Sequence, residues 1–200
     1  MKKTVFDTSI ITVPLHILSS GILKILGWRR EGRLPDFGKF ILIGAPHTSN
    51  WDFPLVLAYA FSYRIKVFWL GKESLFRNRV LGRLFQWFGG IPVDRVKSQD
   101  AVSRTVEIFN AVEKLVLVIS PEGTRKKVKK WRTGFYHIAR GAGIPIVLGF
   151  LDYRRKAGGF GPVLFPSGNM AADLEKIRAF YATVTGKRPE LASAAAIPAL

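Results

Sequence analysis

Apolar and polar positions alternate along this chain as strand-like runs followed by helix-like stretches. Short apolar, β-branched runs occur at FILIGA (40–45), IKVFWL (65–70), KLVLVIS (114–120) and IPIVLGF (144–150). Runs of that length and composition suit strands buried on both faces. Between them, helical spacing marks stretches near 52–62, 74–88, 99–113, 133–142 and 170–184, several opened by Ser, Thr or Asn. The alternation predicts a single α/β domain with a largely parallel central sheet flanked by helices. At 200 residues the chain is long enough for one substantial core. No internal repeat or interdomain linker breaks the pattern. The expected organisation is an N-terminal segment over 1–32, the main domain over 33–188 and a fraying tail over 189–200.

The N-terminal segment has a different pattern. Its apolar residues are interrupted by Asp7, Pro14, His16 and Lys24 before reaching the roughly 20 residues that a spanning helix needs. Asp7 also argues against a signal peptide, and no convincing small-x-small cleavage site follows. A helix beginning at Pro14 would place Leu15, Leu18, Ile22, Ile25 and Leu26 on one side and His16, Ser20 and Lys24 on the other. Trp28, Arg29 and Arg30 then supply an aromatic ring and two charges. That arrangement predicts an amphipathic helix lying in a membrane interface. Packing on the protein's own core is the other reading of the same periodicity.

Composition changes the weight of these readings. Lys and Arg number 31 against 14 Asp and Glu, a formal charge of +17, which calls for an anionic partner. Hydrophobic residues make up 48 %, more than a soluble nucleic-acid binder usually carries, so an anionic membrane surface is the expected partner. No nucleic-acid signature accompanies the basic run RKKVKKWR (125–132), and no nucleic acid is expected. The expected location is membrane-associated at the cytoplasmic face, as a peripheral or monotopic protein. The chain has no cysteine, which excludes a thiol nucleophile, a disulfide framework and thiolate zinc sites.

Three polar clusters fall where the predicted strands end, the place where open α/β sheets gather their sites. The first, PHTSNWD, holds His47 and Asp52. Ser49 and Asp52 fit an S-x-x-D capping box for the next helix; His47 and Asp52 also fit a general base and its orienting partner. Five residues subtend about 500° on a helix, so the second reading needs His47 in the preceding loop. The second cluster, SPEGTRKK, could be an ordinary turn with Gly123 at positive φ and Thr124 as a helix cap. Arg125, however, opens a stretch in which six of eight residues are Lys or Arg, and a helix N-terminus beside an arginine suits a phosphate. In the third cluster, GGIPVDR, Asp94 and Arg95 either pair together or Arg95 adds a second guanidinium to the same anion.

In this order, HTSNWD, GGIPVDR, PEGTR and GIPIV resemble the four ordered blocks of the glycerolipid acyltransferases, typified by 1-acylglycerol-3-phosphate acyltransferase. His47 and Asp52 match the first block, Gly89 with Asp94 and Arg95 the second, Pro121 through Arg125 the third and Pro145 the fourth. Pro46, Pro92 and Lys126 depart from residues common in the family. They leave the matched His, Asp, Glu and Arg in place and bear on which acceptor is used. The resemblance implies transfer of a fatty acyl group from acyl-CoA or an acyl carrier protein thioester to a hydroxyl of a lysophospholipid such as 1-acylglycerol-3-phosphate. It assigns His47 as base and Asp52 as its partner, and the acceptor's polar head to Lys72, Arg95, Glu122, Gly123, Thr124 and Arg125. It implies no metal and no cofactor beyond the thioester co-substrate.

The acyl chain needs an apolar groove, for which Phe68, Trp69, Leu75, Phe76, Phe85, Trp87 and Phe88 are the candidates. His16 and His137 fit structural or interfacial roles. A different lysolipid or a non-glycerol acceptor is the alternative within the enzyme class. A basic membrane-surface or nucleic-acid-binding protein without catalysis would leave His47 and Asp52 unexplained.

Overall fold

The computed structural model describes residues 3–93 and 98–193, without the side chains of 98–100. Seven strands form one sheet: β1 (Arg29–Glu31), β2 (Lys39–Gly44), β3 (Phe68–Lys72), β4 (Gly90–Val93), β5 (Leu115–Ile119), β6 (Ile146–Asp152) and β7 (Ala157–Leu164). Their order is β1-β7-β6-β2-β5-β3-β4. Strands β2 to β6 run parallel, whereas β7 is antiparallel to β6 and parallel to β1. The predicted single α/β domain with a mostly parallel sheet is what forms.

The central strands are apolar because both of their faces are covered. On β2, Phe40 packs with Val116 and Val147 on one side, while Ile41 and Ile43 join Leu117, Ile146 and Leu148 on the other. All seven residues of β6 are buried. The helices are α1 (Ser9–Ile25), α2 (Asp52–Ser62), α3 (Arg79–Trp87), α4 (Ser98–Asn110), α5 (Gly134–Ala142) and α6 (Met170–Tyr181). The chain steps outward through β2, β3 and β4, so right-handed crossovers put α2 and α3 on one face of the sheet. It then steps back through β5 to β6, putting α4 and α5 on the opposite face. Phe135 and Ile138 of α5, with Leu174, Ile177 and Tyr181 of α6, fill that second side.

Besides the short edge strand β1 and the division of the expected 74–88 helix into a 3-10 turn (Glu73–Phe76) and α3, three elements depart from the pattern expected. The stretch AGGFGPVL forms strand β7 without a β-branched run. It is held by pairing to β6 and β1, and its glycines admit neighbouring rings: a Cβ at Gly158 or Gly161 would collide with Tyr59 or Phe180. The third strand begins at Phe68 rather than Ile65, because Ile65 and Val67 are used to pack the approach to the sheet. The first helix begins at Ser9 rather than Pro14, following an extended Thr8. Its apolar pattern reaches back to Ile10, and Pro14 is exposed, so the ring meets no packed neighbour.

Helix α1 lies on α2 through a mixed side: Leu23 is buried in a cluster with Leu55 and Tyr59, His16 and Ser19 also turn inward, and Lys24 of the expected polar stripe is exposed. His16 Nδ1 is 3.0 Å from the carbonyl oxygen of Phe61 and Ser19 is buried, whereas Ile10 and Ile25 are 86 % and 85 % exposed. Among the described residues no helix is long and apolar enough to cross a membrane. The segment is also tied to the sheet: β1 pairs with β7, and Tyr59 Oη donates to the Arg29 carbonyl at 2.8 Å. At the other end, Ser193 is buried and its hydroxyl accepts the Val128 amide at 3.0 Å. The rest of the predicted fraying tail, 194–200, lies outside the described residues.

Candidate active site

Register decides which loops meet. Strand β2 lies between β5 and β6, with Ile43 opposite Ile119 and Gly44 opposite Gly149. The loops leaving these three carboxyl ends therefore start side by side and bring His47, Glu122 and Tyr153 to one place.

His47 sits in the loop before α2, and Asp52 is the first residue of the helix. His47 Nδ1 is 2.9 Å from Asp52 Oδ2. The same oxygen accepts the amides of Thr48 and Ser49, each at 2.9 Å, and Oδ1 accepts the Tyr153 hydroxyl at 2.6 Å. Burial pushes the Asp52 carboxyl up, but the hydrogen bonds from His47, Tyr153 and Ser49 outweigh it and hold the group below its ordinary value. The adjacent helix N-terminus favours the same negative charge. The expected capping box is only half formed: Asp52 accepts the Ser49 amide, but Ser49 Oγ accepts the Trp51 amide at 3.2 Å rather than that of Asp52. The helix starts two residues later than the box requires, with Trp51 at its N-cap, because the Asp52 carboxylate gathers the loop around His47 instead.

Tyr153 lies one residue past the end of β6 and outside all four sequence blocks. Its ring meets Trp28 edge-on, with centroids 5.0 Å apart, and its amide donates to the Thr185 carbonyl at 2.9 Å. Burial, and then Asp52, push its phenol far above the usual range, so the hydroxyl remains a donor. Sequence reasoning passed over this residue; the one signal available was a tyrosine directly after an apolar strand.

Glu122 is placed differently from the acceptor contact that the resemblance implies. It is 4 % exposed and does not line the cavity described below. Its Oε2 accepts the backbone amide of His47 at 2.6 Å, and Oε1 is buried with no hydrogen-bond partner among the described residues. Burial pushes its carboxyl up to about 7, against the pull of the His47 amide and, more weakly, of the Ser193 amide. The geometry is that of a support behind the His47 loop.

Gly123 has φ of 64°, the left-handed conformation the turn reading expects of it. No helix follows directly. Thr124 Oγ1 accepts the Lys126 amide at 3.3 Å in a turn, and α5 starts only at Gly134, so neither the Thr124 helix cap nor the helix-terminus phosphate site forms here. A run of like charges opposes a helix at 125–130, and the segment crosses the surface until buried Trp131 anchors it. Arg125 and Lys72 are both exposed and both line the cavity, Lys72 at the carboxyl end of β3. Neither has an ion pair among the described residues. Asp94 and Arg95 lie outside the described residues. His16 and His137 are remote from the site: one faces α2 and the other is exposed on α5.

The cavity has a volume of about 700 Å3 and is lined by His47, Asp52, Arg125 and Lys72 together with apolar side chains, among them Phe53 and Leu57. Of the seven expected groove residues, Trp69, Leu75 and Phe85 line it. Phe68 points to the other side of the sheet, since neighbours on a strand alternate, and belongs to the core. Phe76 packs behind Trp69 and Phe85, and Trp87 and Phe88 do not reach the cavity. His47 Nε2 has no partner among the described residues. An imidazole fixed through Nδ1 on a carboxylate, with its second nitrogen free at an apolar cavity, is arranged to take a proton from a bound hydroxyl. Among the described residues no cluster of three metal-ligating side chains occurs.

Comparison with known proteins identifies the family. The Acyltransferase family profile matches residues 29–147, more than half of the chain. No curated protein sequence matches. In three dimensions the chain is similar to the crystal structure of the 1-acyl-sn-glycerophosphate (LPA) acyltransferase, PlsC, from Thermotoga maritima. The two superpose with a TM-score of 0.58 at 16 % sequence identity, covering 85 % of this chain and 76 % of that one. At this identity the likeness speaks for the fold, and the family match, which encloses His47, Asp52 and the PEGTR turn, for the relationship. The chain belongs to the Acyltransferase family.

Proposed function

We propose that this acyltransferase moves a fatty acyl group from a CoA or acyl carrier protein thioester to a hydroxyl of a lysophospholipid, 1-acylglycerol-3-phosphate being the first candidate. The observation that carries this reading is the His47–Asp52 pair set into a cavity that is apolar along most of its wall. A lipid hydroxyl is a weak nucleophile at neutral pH. As it attacks the thioester carbonyl, His47 Nε2 takes its proton, and Asp52 stabilises the imidazolium that forms. The tetrahedral adduct collapses to the ester, and the departing thiolate takes the proton back from His47. Arg125 and Lys72 provide the positive charge for the acceptor's phosphate, and the wall of Phe53, Leu57 and Phe85 accommodates an acyl chain.

The membrane reading completes the proposal. The outward apolar side of α1 lies in the interface of an anionic leaflet, where both acceptor and product reside. The test is an assay of the purified protein against a panel of lysophospholipids with both thioester types. We expect acylation of 1-acylglycerol-3-phosphate, and His47→Ala should lower turnover by about a hundredfold to ten-thousandfold without shifting the thermal midpoint. Full turnover in His47→Ala, or no acylation of any lysolipid, would overturn the reading.

A further inference from the structure

Helix α3 is nine residues long and presents an apolar stripe to the outside. Val80 is 76 % exposed and Leu81 50 %, with Leu84 and Trp87 also exposed. Val80, Leu84 and Trp87 recur at helical spacing, so the stripe is continuous. The inner side is already occupied. Gly82 is buried against the backbone of Phe76, where a Cβ would collide, and Phe85 packs on Trp69 and Phe53. The outer stripe is therefore not a misplaced core face. Arg79 and Arg83, one turn apart, are exposed and have no ion pair among the described residues. Apolar side chains flanked by unpaired guanidinium groups on long stems complement a bilayer surface with anionic headgroups.

Position adds a second argument. α3 occupies the same face of the sheet as α2, on which the exposed apolar side of α1 is mounted. Leu57 of α2 and Phe85 of α3 both line the cavity, which also reaches Val102 of α4 and Phe135 of α5, and Leu75, just before α3, both lines the cavity and is 46 % exposed. We propose that α3 is a second lipid-docking surface, which together with α1 seats the mouth of the cavity on an anionic leaflet. An acyl chain then passes between bilayer and cavity without crossing water. The inference rests on the membrane reading of α1.

Single-cysteine labelling tests it, because the chain has no cysteine of its own. An environment-sensitive fluorophore is attached in the full chain at Val80→Cys on α3, Ile17→Cys on α1 or Lys176→Cys on α6, across the sheet. Vesicles of phosphatidylcholine with and without phosphatidylglycerol are then added. Emission from positions 80 and 17 is expected to shift to the blue with anionic vesicles, and emission from position 176 to stay unchanged. In the Val80→Cys background, Arg79→Gln with Arg83→Gln should raise the lipid concentration for half-maximal shift by about thirtyfold. A shift at 17 without one at 80 overturns the docking role of α3 and leaves the α1 reading standing. No shift at either overturns both. A shift at 80 with purified acyl carrier protein but not with vesicles assigns the stripe to an acidic protein instead. A shift that depends on protein concentration alone assigns it to a second copy of the chain; each of these also overturns the proposal.

Discussion

Asp52 and Glu122 are both buried residues, 4 % exposed in each case, and both carboxyl groups bond to His47. Asp52 receives four donors, from His47, Thr48, Ser49 and Tyr153, at the N-terminus of α2. Glu122 receives the His47 amide on one oxygen and leaves the other without a partner among the described residues. The same burial therefore yields a carboxylate held below its ordinary value in one loop and a carboxyl raised to about 7 in the next. The loop after β2 is organised around a fixed negative charge that can meet an imidazolium. The loop after β5 contributes a group near neutrality that braces the first. Burial alone does not set the state of an acid; the number of donors aimed at it does.

The largest expected effect comes from making Asp52 more like a neutral group. Asp52→Asn should lower turnover by about a thousandfold or more, because an amide can place its NH2 where donors already point and cannot offset an imidazolium. Regarded as a cap alone, Asp52 would be replaceable by Asn at no cost to stability. Four donors converging on the carboxylate predict instead a loss of about 1–3 kcal/mol, read by chemical denaturation. Unchanged turnover in Asp52→Asn would erase the distinction between the two acids.

A smaller effect is expected from Tyr153→Phe, which keeps the ring against Trp28 and removes one donor from Asp52. Turnover should fall by about tenfold with little change in the Michaelis constants. Stability gives an independent reading. The depressed Asp52 contributes stability that is present above its ordinary value of 3.8 and lost as pH falls through its lower folded value. Losing a donor brings that folded value back toward 3.8, so acid unfolding should begin at higher pH in Tyr153→Phe. Acid titrations followed by circular dichroism decide this, and an unshifted transition counts against the positioning role.

The smallest effect concerns Glu122. Its folded value near 7 lies above the ordinary 4.5, so between those values the folded protein holds a proton that the unfolded chain has released. This contribution to stability falls as pH rises from about 4.5 to about 7 and is flat above. Glu122→Gln keeps an acceptor for the His47 amide and removes the titration, so its melting temperature should lose that part of the slope while turnover changes only a few-fold. A slope identical to that of the unaltered protein would mean that the proton is held elsewhere.

Much of the fold was legible because its central strands are apolar on both sides and long enough to be recognised as such: FILIGA and KLVLVIS became β2 and β5 with boundaries one residue adrift. The edge was not legible. β7 is built on glycines that make way for Tyr59 and Phe180, and β1 is only three residues of Arg and Glu, so neither carries an apolar signal of its own. In the site, His47, Asp52 and Arg125 could be singled out because each sits in a polar cluster at a strand end. Tyr153 carried no such context, and Glu122 carried a role in acceptor contact that its burial behind His47 does not match.

The sequence by itself determined the alternation of strands and helices, the two sides of α1, the positive charge and the four ordered blocks, because each depends on spacing along one stretch of chain. Which side of α1 faces out was decided by its packing on α2; which acid is charged and which tyrosine reaches Asp52 were decided only when β5, β2 and β6 aligned their carboxyl ends. Those choices depend on atoms 75 and 101 residues apart, as in the bonds from the His47 amide to Glu122 and from Tyr153 to Asp52. A local pattern can specify what a residue is able to do, but a carboxylate's charge is fixed by the donors that the folded chain brings to it.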